Sequence, residues 1–200
     1  MTHDDIWNHN LAYQSVLLRE VPPGCRSALD VGCGQGFLLS HLATRVEQVV
    51  GIDRHAPSLK EAARRNAEHA NVLLVEGDAM TYEFDTPFDV VFSVAVVHHL
   101  PLEPGLVRMK ELTAPGGVLG VVGLASNGSV LDHARDAVGV VQSRFWRLRR
   151  GGYTMVTAPI CDPEETYQQV REVAEDLLPG ARYRRHNMFR YTITWTRPRG

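Results

Sequence analysis

Three glycines alternate with single residues at Gly32, Gly34 and Gly36, where the apolar run ALDV gives way to the helical pattern FLLSHLATRV. Without side chains, such a segment turns tightly and lets a ligand approach its main chain, which points to a nucleotide-like ligand. The dinucleotide fingerprint requires glycine at its first, third and sixth places. Counted from Gly32 the sixth residue is Phe37, so pyrophosphate binding is disfavoured. A second run, VVGID, closes on Asp53, whose two carboxylate oxygens suit the paired hydroxyls of a ribose. A later run leads to His98 and His99, imidazoles able to take a proton from an acceptor hydroxyl or amine near neutral pH. Adjacent histidines are expected to point in different directions, one toward the site and one into packing or a helix start. Two sequential histidines with no third ligand in view predict no metal site.

These residues need a frame to hold them. From Ser27 to Leu124 apolar bursts alternate with helical patterns: ALDV, then FLLSHLATRV; VVGID, then SLKEAARRNAEHA; VLLVEGD; FDVVFSVAVV, then EPGLVRMKELT; and GGVLGVVGL. Bursts without polar alternation predict strands covered on both faces, as in a parallel sheet with helices on either side, and five such strands are expected. PPG at 22–24 stops an N-terminal helix, and APGG at 114–117 turns into the fifth strand. Beyond Leu124, SVLDHARDAVGVVQSRFWRLRR and PEETYQQVREVAEDLL fit amphipathic helices, and ARYRRHN with MFRYTITWTRP reads as a closing strand pair. The chain between the fifth and sixth strands exceeds what one crossover helix needs. Residues 126–162 are therefore expected to cover a substrate at the carboxyl ends of the strands, beside the point where strand order reverses. One domain spanning residues 1–200 is expected.

Composition narrows the functional classes. Twenty-one Lys and Arg against 23 Asp and Glu leave a formal net charge of −2, without the positive field that a polyanion requires, so no nucleic-acid partner is expected. Cys25, Cys33 and Cys161 are odd in number and unevenly spaced, which reads as free thiols in a reducing, cytoplasmic setting. MTHDDIWNHN carries acids and amides where a signal peptide would be basic and apolar, and no apolar run approaches the ~18 residues of a membrane span.

Five ordered segments resemble the class I S-adenosylmethionine-dependent methyltransferases, in their small-molecule branch: DVGCGQG at 30–36, VVGID at 49–53, EGDAM at 76–80, FDVVFSVAVVHHL at 88–100 and LTAPGGVLGVVGL at 112–124. The RYTITWTRP ending is similar to that family's final strand. The resemblance implies an α/β, Rossmann-like, doubly wound sheet of about seven strands, mostly parallel with an antiparallel C-terminal strand, helices on both faces and S-adenosyl-L-methionine as cofactor. It implies that the loop from Asp30 through Gly32, Cys33, Gly34 and Gly36 holds the methionine end by main-chain carbonyls and the Asp30 carboxylate. Asp53 is implied to bind the ribose, with Arg54 beside it, and Asp78 and the Ala79 N–H the adenine, with Met80 as its wall. Ser93 and Val94 are implied to lie where methyl donor and acceptor meet. Residues 1–23 are implied to form a lid helix, with Tyr13 and His9 as pocket wall. A bacterial, cytoplasmic enzyme acting as a monomer or homodimer is expected, one that holds a small acceptor in line with the methyl carbon and releases S-adenosyl-L-homocysteine. Positioning rather than elaborate acid–base machinery drives such a transfer, with His98 and His99 as its candidate catalytic groups.

Two other classes share features of this pattern. Asp53 would equally suit the ribose of a NAD(P)-dependent oxidoreductase, which the displaced third glycine disfavours. A non-catalytic module retaining the same cofactor pocket is compatible with every segment above. An N/D-P-P-Y segment after the fourth strand, as nucleobase amino-methylation uses, is missing from SVAVVHHLP.

Overall fold

A computed structural model describes residues 9–128, 162–186 and 189–199, the side chains of 9–12 excepted. Their elements are α1 (His9–Leu18), β1 (Ser27–Val31), α2 (Phe37–Ala43), β2 (Gln48–Asp53), α3 (Ala56–Arg65), β3 (Val72–Glu76), β4 (Phe88–Val94), a 3-10 turn (Val97–His99), α4 (Leu102–Leu112), β5 (Thr113–Gly123), α5 (Tyr167–Leu177), β6 (Arg182–Arg185) and β7 (Tyr191–Thr196). The strands form one seven-stranded sheet in the order β3-β2-β1-β4-β5-β7-β6. Pairs among β1 to β5 are parallel, and β7 runs antiparallel to both β5 and β6. This is the mostly parallel sheet with an antiparallel C-terminal strand that the sequence implies, and its order reverses between β1 and β4.

The two-residue period of the strands sorts their side chains into two layers. Ala28, Val49, Val90 and Phe92 pack with Leu17 of α1, Leu39 and Leu42 of α2 and Leu59 of α3. Leu29, Val31, Ile52, Val91 and Ile193 pack on the other face with Leu106 and Met109 of α4 and Val170 and Ala174 of α5. Each wholly buried Leu or Ile contributes ~1.5–3 kcal/mol relative to exposure. Glycines set the closest approaches between layers. A Cβ at Gly120 would stand 2.7 Å from Phe92 Cδ1 and 2.8 Å from Leu17 Cδ2, so glycine there lets α1 lie down on the sheet.

Helix ends follow from local chemistry. Pro57 enters α3 in its first turn, and Thr166 caps α5 in a capping box with Gln169. The Lys110 ammonium donates to the Leu177 carbonyl at 2.7 Å, fastening α4 to α5. Ser126, just past β5, bridges to Thr166: its N–H donates to the Glu165 carbonyl at 2.8 Å, and its carbonyl accepts from the Tyr167 N–H at 3.3 Å. The chain therefore leaves the frame after Ser126 and rejoins it beside the same residue. Most of the expected cap at 126–162, with Cys161 and the helix from Ser129, lies outside the described residues.

One boundary differs from expectation. The apolar run FDVVFSVAVV predicts a strand to Val97, whereas β4 ends at Val94. Ala95 adopts φ +58°, a left-handed conformation rare for a side-chain-bearing residue, and the chain turns there. Val97 is then buried with the α4 layer, which accounts for the apolar signal beyond the strand.

Candidate active site

The sheet register draws the relevant residues to one edge. Val75, Ile52, Val31, Ser93, Val121 and Ile193 form a continuous row across six strands. Immediately past it lie Gly32, Asp53 and Val94 at the carboxyl ends of β1, β2 and β4, the edge where open α/β sheets hold ligands.

Gly32, Gly34 and Gly36 adopt φ of +70°, +52° and +75°. Their reasons differ. A Cβ on Gly32 would overlap Val96, and one on Gly36 would stand 2.6 Å from Asn66 Nδ2 and 2.9 Å from the Ala62 Cβ, so these two are packed against protein. A Cβ on Gly34 would meet nothing within 4 Å, so Gly34 borders open space. The loop's amides turn inward: the Gly32 and Cys33 N–H groups both donate to the Ile52 carbonyl, at 2.8 and 3.1 Å, and the Gly36 N–H donates to the Cys33 carbonyl at 2.9 Å. The Gly34 N–H donates to Asp53 Oδ2 at 2.8 Å. A phosphate cradle needs such groups facing the ligand. The Cys33 side chain is also turned in, with its Sγ 2.9 Å from where a Gly51 Cβ would lie, so only its main chain is offered to a ligand. Burial, then Asp30 and Asp53, pushes that thiol well up, keeping it protonated.

Both carboxylate oxygens of Asp53 already accept a main-chain N–H, Oδ2 from Gly34 and Oδ1 from His55 at 2.8 Å. A carboxylate has about four lone-pair directions, so these bonds orient the group and leave further acceptor capacity. Asp30 faces the α1–α3 layer between Gly51 and Phe92 and is only 2% exposed. Burial, reinforced by Asp53, holds its carboxyl well above the ordinary carboxylate range. Asp78 accepts the Met80 N–H on Oδ1 at 2.9 Å and pairs through Oδ2 with Arg54 at 3.4 Å. The Arg54 side chain is 72% exposed, so this pair is weakly held. Ala79 and Met80 continue the turn, with the Ala79 carbonyl accepting from Arg108 Nε at 3.2 Å.

On β4, Ser93 is wholly buried and its hydroxyl donates to the Val31 carbonyl at 3.2 Å. The side chain thus braces β4 against β1, one residue before Val94, the half-buried last residue of the strand. His98 and His99 do not diverge as expected. The 3-10 turn lays one ring over the other at 4.1 Å between centroids and a 40° tilt. Nδ1 of His98 is buried without a hydrogen-bond partner. Burial, then the neighbouring His99 and Arg190, lowers His98 to about 4, so its ring is neutral at physiological pH. His99 is exposed and is lowered by partial desolvation and by Arg54.

Sequence reasoning missed a group on the far side of the same edge. Arg190, 6% exposed, precedes β7, whose first residue, Tyr191, pairs with Gly123 at the end of β5. The His186 N–H donates to the Arg190 carbonyl at 2.8 Å, and the His186 ring packs on Tyr13 at 4.9 Å between centroids. Tyr13, expected at the pocket wall, thus packs against the His186 ring, whereas the His9 side chain lies outside the described ones. The closing strand pair held the only sequence signal for this group, a histidine and an arginine at a turn. Among the described residues no cluster of His, Cys, Asp or Glu could hold a metal ion, and no helix is long and apolar enough to cross a membrane.

Comparison with known proteins agrees with this geometry. A family model described as a methyltransferase domain matches residues 28–117. An uncharacterized methyltransferase of Mycobacterium bovis is 36% identical over 202 residues, covering 98% of this chain and 99% of the relative. A ubiquinone biosynthesis O-methyltransferase of Leptothrix cholodnii is 35% identical over 94 residues, 44% of this chain and 40% of that protein. The N-methyltransferase NodS of Bradyrhizobium japonicum, solved with S-adenosyl-L-homocysteine, superposes with a TM-score of 0.65 at 16% identity, covering 98% of this chain and 94% of that one. The chain belongs to the class I methyltransferases.

Proposed function

We propose that this methyltransferase moves the methyl group of S-adenosyl-L-methionine to a small organic acceptor by in-line displacement, releasing S-adenosyl-L-homocysteine. The observation that carries this reading is the pairing of Gly34, open to space, with an Asp53 carboxylate already oriented by two main-chain N–H groups.

The residues fit the cofactor's chemistry. A loop whose amides are spent inward offers carbonyls and acids outward, which suits an ammonium and a sulfonium and does not suit a pyrophosphate. Asp30, whose charge burial disfavours, regains its ionised form when a cation settles beside it. Asp53 takes the ribose hydroxyls with its remaining lone pairs, and Asp78, the Ala79 N–H and Met80 receive the adenine. The sulfonium supplies an already activated methyl group, so the chain's task is orientation and exclusion of water. The neutral His98 ring shapes the acceptor space and helps steer the acceptor's lone pair toward the methyl carbon. A ring held near 4 is a poor proton store, so the proton passes on toward solvent by way of the exposed His99. A small acceptor is supported by the relative named for ubiquinone biosynthesis and by the absence of a net positive charge. The free thiols of Cys25 and Cys33 are consistent with a reducing cytoplasm.

Calorimetry with S-adenosyl-L-homocysteine and with NADH tests the pocket: saturable binding of the first and none of the second is expected. Tight NADH binding would overturn the assignment. Release of S-adenosyl-L-homocysteine on adding small hydroxyl or amine acceptors then separates an enzyme from an inert binding module.

A further inference from the structure

The turns that follow β1 and β4 are neighbours at the ligand edge, because Val31 pairs with Ser93 one residue before Gly32 and Val94. The Ser93 hydroxyl pins the two strands there. Beyond that pin both chains turn left-handed, Gly32 at φ +70° and Ala95 at φ +58°. Glycine adopts this conformation freely, whereas alanine keeps it only where its surroundings hold it. The Ala95 N–H donates to the Val122 carbonyl at 2.7 Å, which supplies such a hold. An extended Ala95 would carry the next side chain onward along the strand. The left-handed one brings Val96 back over β1, where its methyl groups close on the bare α-carbon of Gly32: a Cβ there would overlap Val96 Cγ2 and stand 2.8 Å from Cγ1.

Val96 has a second hold on the site. Its carbonyl accepts the His99 N–H at 2.8 Å and so closes the 3-10 turn that lays the His98 and His99 rings together. The far end of that turn is fixed against α4, where a Cβ on Gly105 would stand 3.3 Å from the Leu100 Cβ. One residue therefore touches the glycine loop with its side chain and the histidine turn with its main chain. A β-branched side chain is stiff about χ1, and close-packed atoms leave no slack between them, so Val96 acts as a rigid spacer. We propose that Val96 is a positioning residue for the transfer: seated on Gly32, it sets the distance between the glycine loop and the His98–His99 turn, and with it the place of the histidine rings beside the bound cofactor. This rests on the methyltransferase reading and adds to it the residue that keeps the two halves of the site in register. Val96 acts through Gly32 on one side and the His99 N–H on the other, and takes no part in the chemistry.

The test follows the ring Cε1–H signals of His98 and His99 by NMR in the full chain, as S-adenosyl-L-homocysteine is added and, separately, as pH is varied without it. In the parent chain, saturation is expected to shift both signals. Val96→Ala removes the two methyl groups that meet Gly32. It is expected to bind S-adenosyl-L-homocysteine within about threefold of the parent while losing most of the ring shift. Its His98 midpoint is expected to move up from about 4 toward the ordinary 6.5 as the ring gains water. Val96→Thr, which keeps the branched shape, is expected to behave as the parent. If Val96→Ala does not fold, Ala95→Gly, which lifts the left-handed constraint and frees the hinge, is expected to lose the ring shift without a fall in Tm. A ring shift that survives these changes, a Val96→Ala midpoint that stays near 4, a Val96→Thr chain that behaves like Val96→Ala, or affinity reduced beyond about threefold in Val96→Ala overturns the proposal. Failure of S-adenosyl-L-homocysteine to bind the parent chain overturns the cofactor reading and this proposal together, whereas binding without a ring shift overturns this proposal alone.

Discussion

The two halves of the candidate site, one proposed to hold the cofactor and one facing it across the sheet edge, are built by different means. Asp30, the glycine loop, Asp53 and Asp78 are all delivered within the first three strand–turn units, and most of their bonds run between main chain and one carboxylate. Tyr13, His98, His186 and Arg190 come from four distant places: α1, the turn after β4 and both ends of the β6–β7 connection. A side made of backbone geometry can hold the same ligand in many relatives. A side made of convergent side chains can be changed one residue at a time, which is how one sheet serves many acceptors.

That contrast can be broken most forcefully at Asp53. Asp53→Ala removes two charge-assisted bonds worth roughly 1.5–3 kcal/mol each, so S-adenosyl-L-homocysteine affinity is expected to fall about 100-fold or more by calorimetry. The glycines sharpen it further. Gly34→Val puts a branched side chain at φ +52° into the ligand space and is expected to weaken cofactor binding about tenfold or more. Gly32→Ala drives a methyl into Val96 at φ +70° and is expected to cost about 1–3 kcal/mol of stability, read as a lowered Tm without ligand.

Titration distinguishes the two sides more subtly. The folded Asp30 carboxyl sits above its unfolded range, so between those values the folded chain holds the extra proton and stability declines as pH rises through the folded value. Asp30→Asn is expected to raise Tm of the ligand-free protein at pH above that range and to flatten the decline, while weakening cofactor binding. His98 behaves in the opposite sense. Its folded value of about 4 lies below the ordinary 6.5, so stability is full above 6.5 and is lost as pH falls toward 4. His98→Gln is expected to blunt this acid loss by a few degrees or less in thermal melts across that window, the smallest effect of the series. An unchanged acid limb would mean that His98 is not held neutral by its surroundings.

The strands, their parallel order and the loop between β1 and α2 were legible in the sequence because short-range physics decides them. Apolar bursts need cover on two faces, and three glycines at alternate positions permit a left-handed turn that few other residues tolerate. Asp53 was legible for the same reason, since a strand's last residue stands beside the turn that follows its neighbour. Side-chain direction was not. The sequence could not show that Ser93 braces Val31, that Cys33 turns under Gly51, or that a left-handed Ala95 ends β4 and lays the two histidine rings together. Nor could it bring Arg190 and His186 to Tyr13 and His98, because that depends on β7 entering antiparallel beside β5. Local pattern fixes what a segment becomes; only the packed sheet fixes which distant segments share an edge.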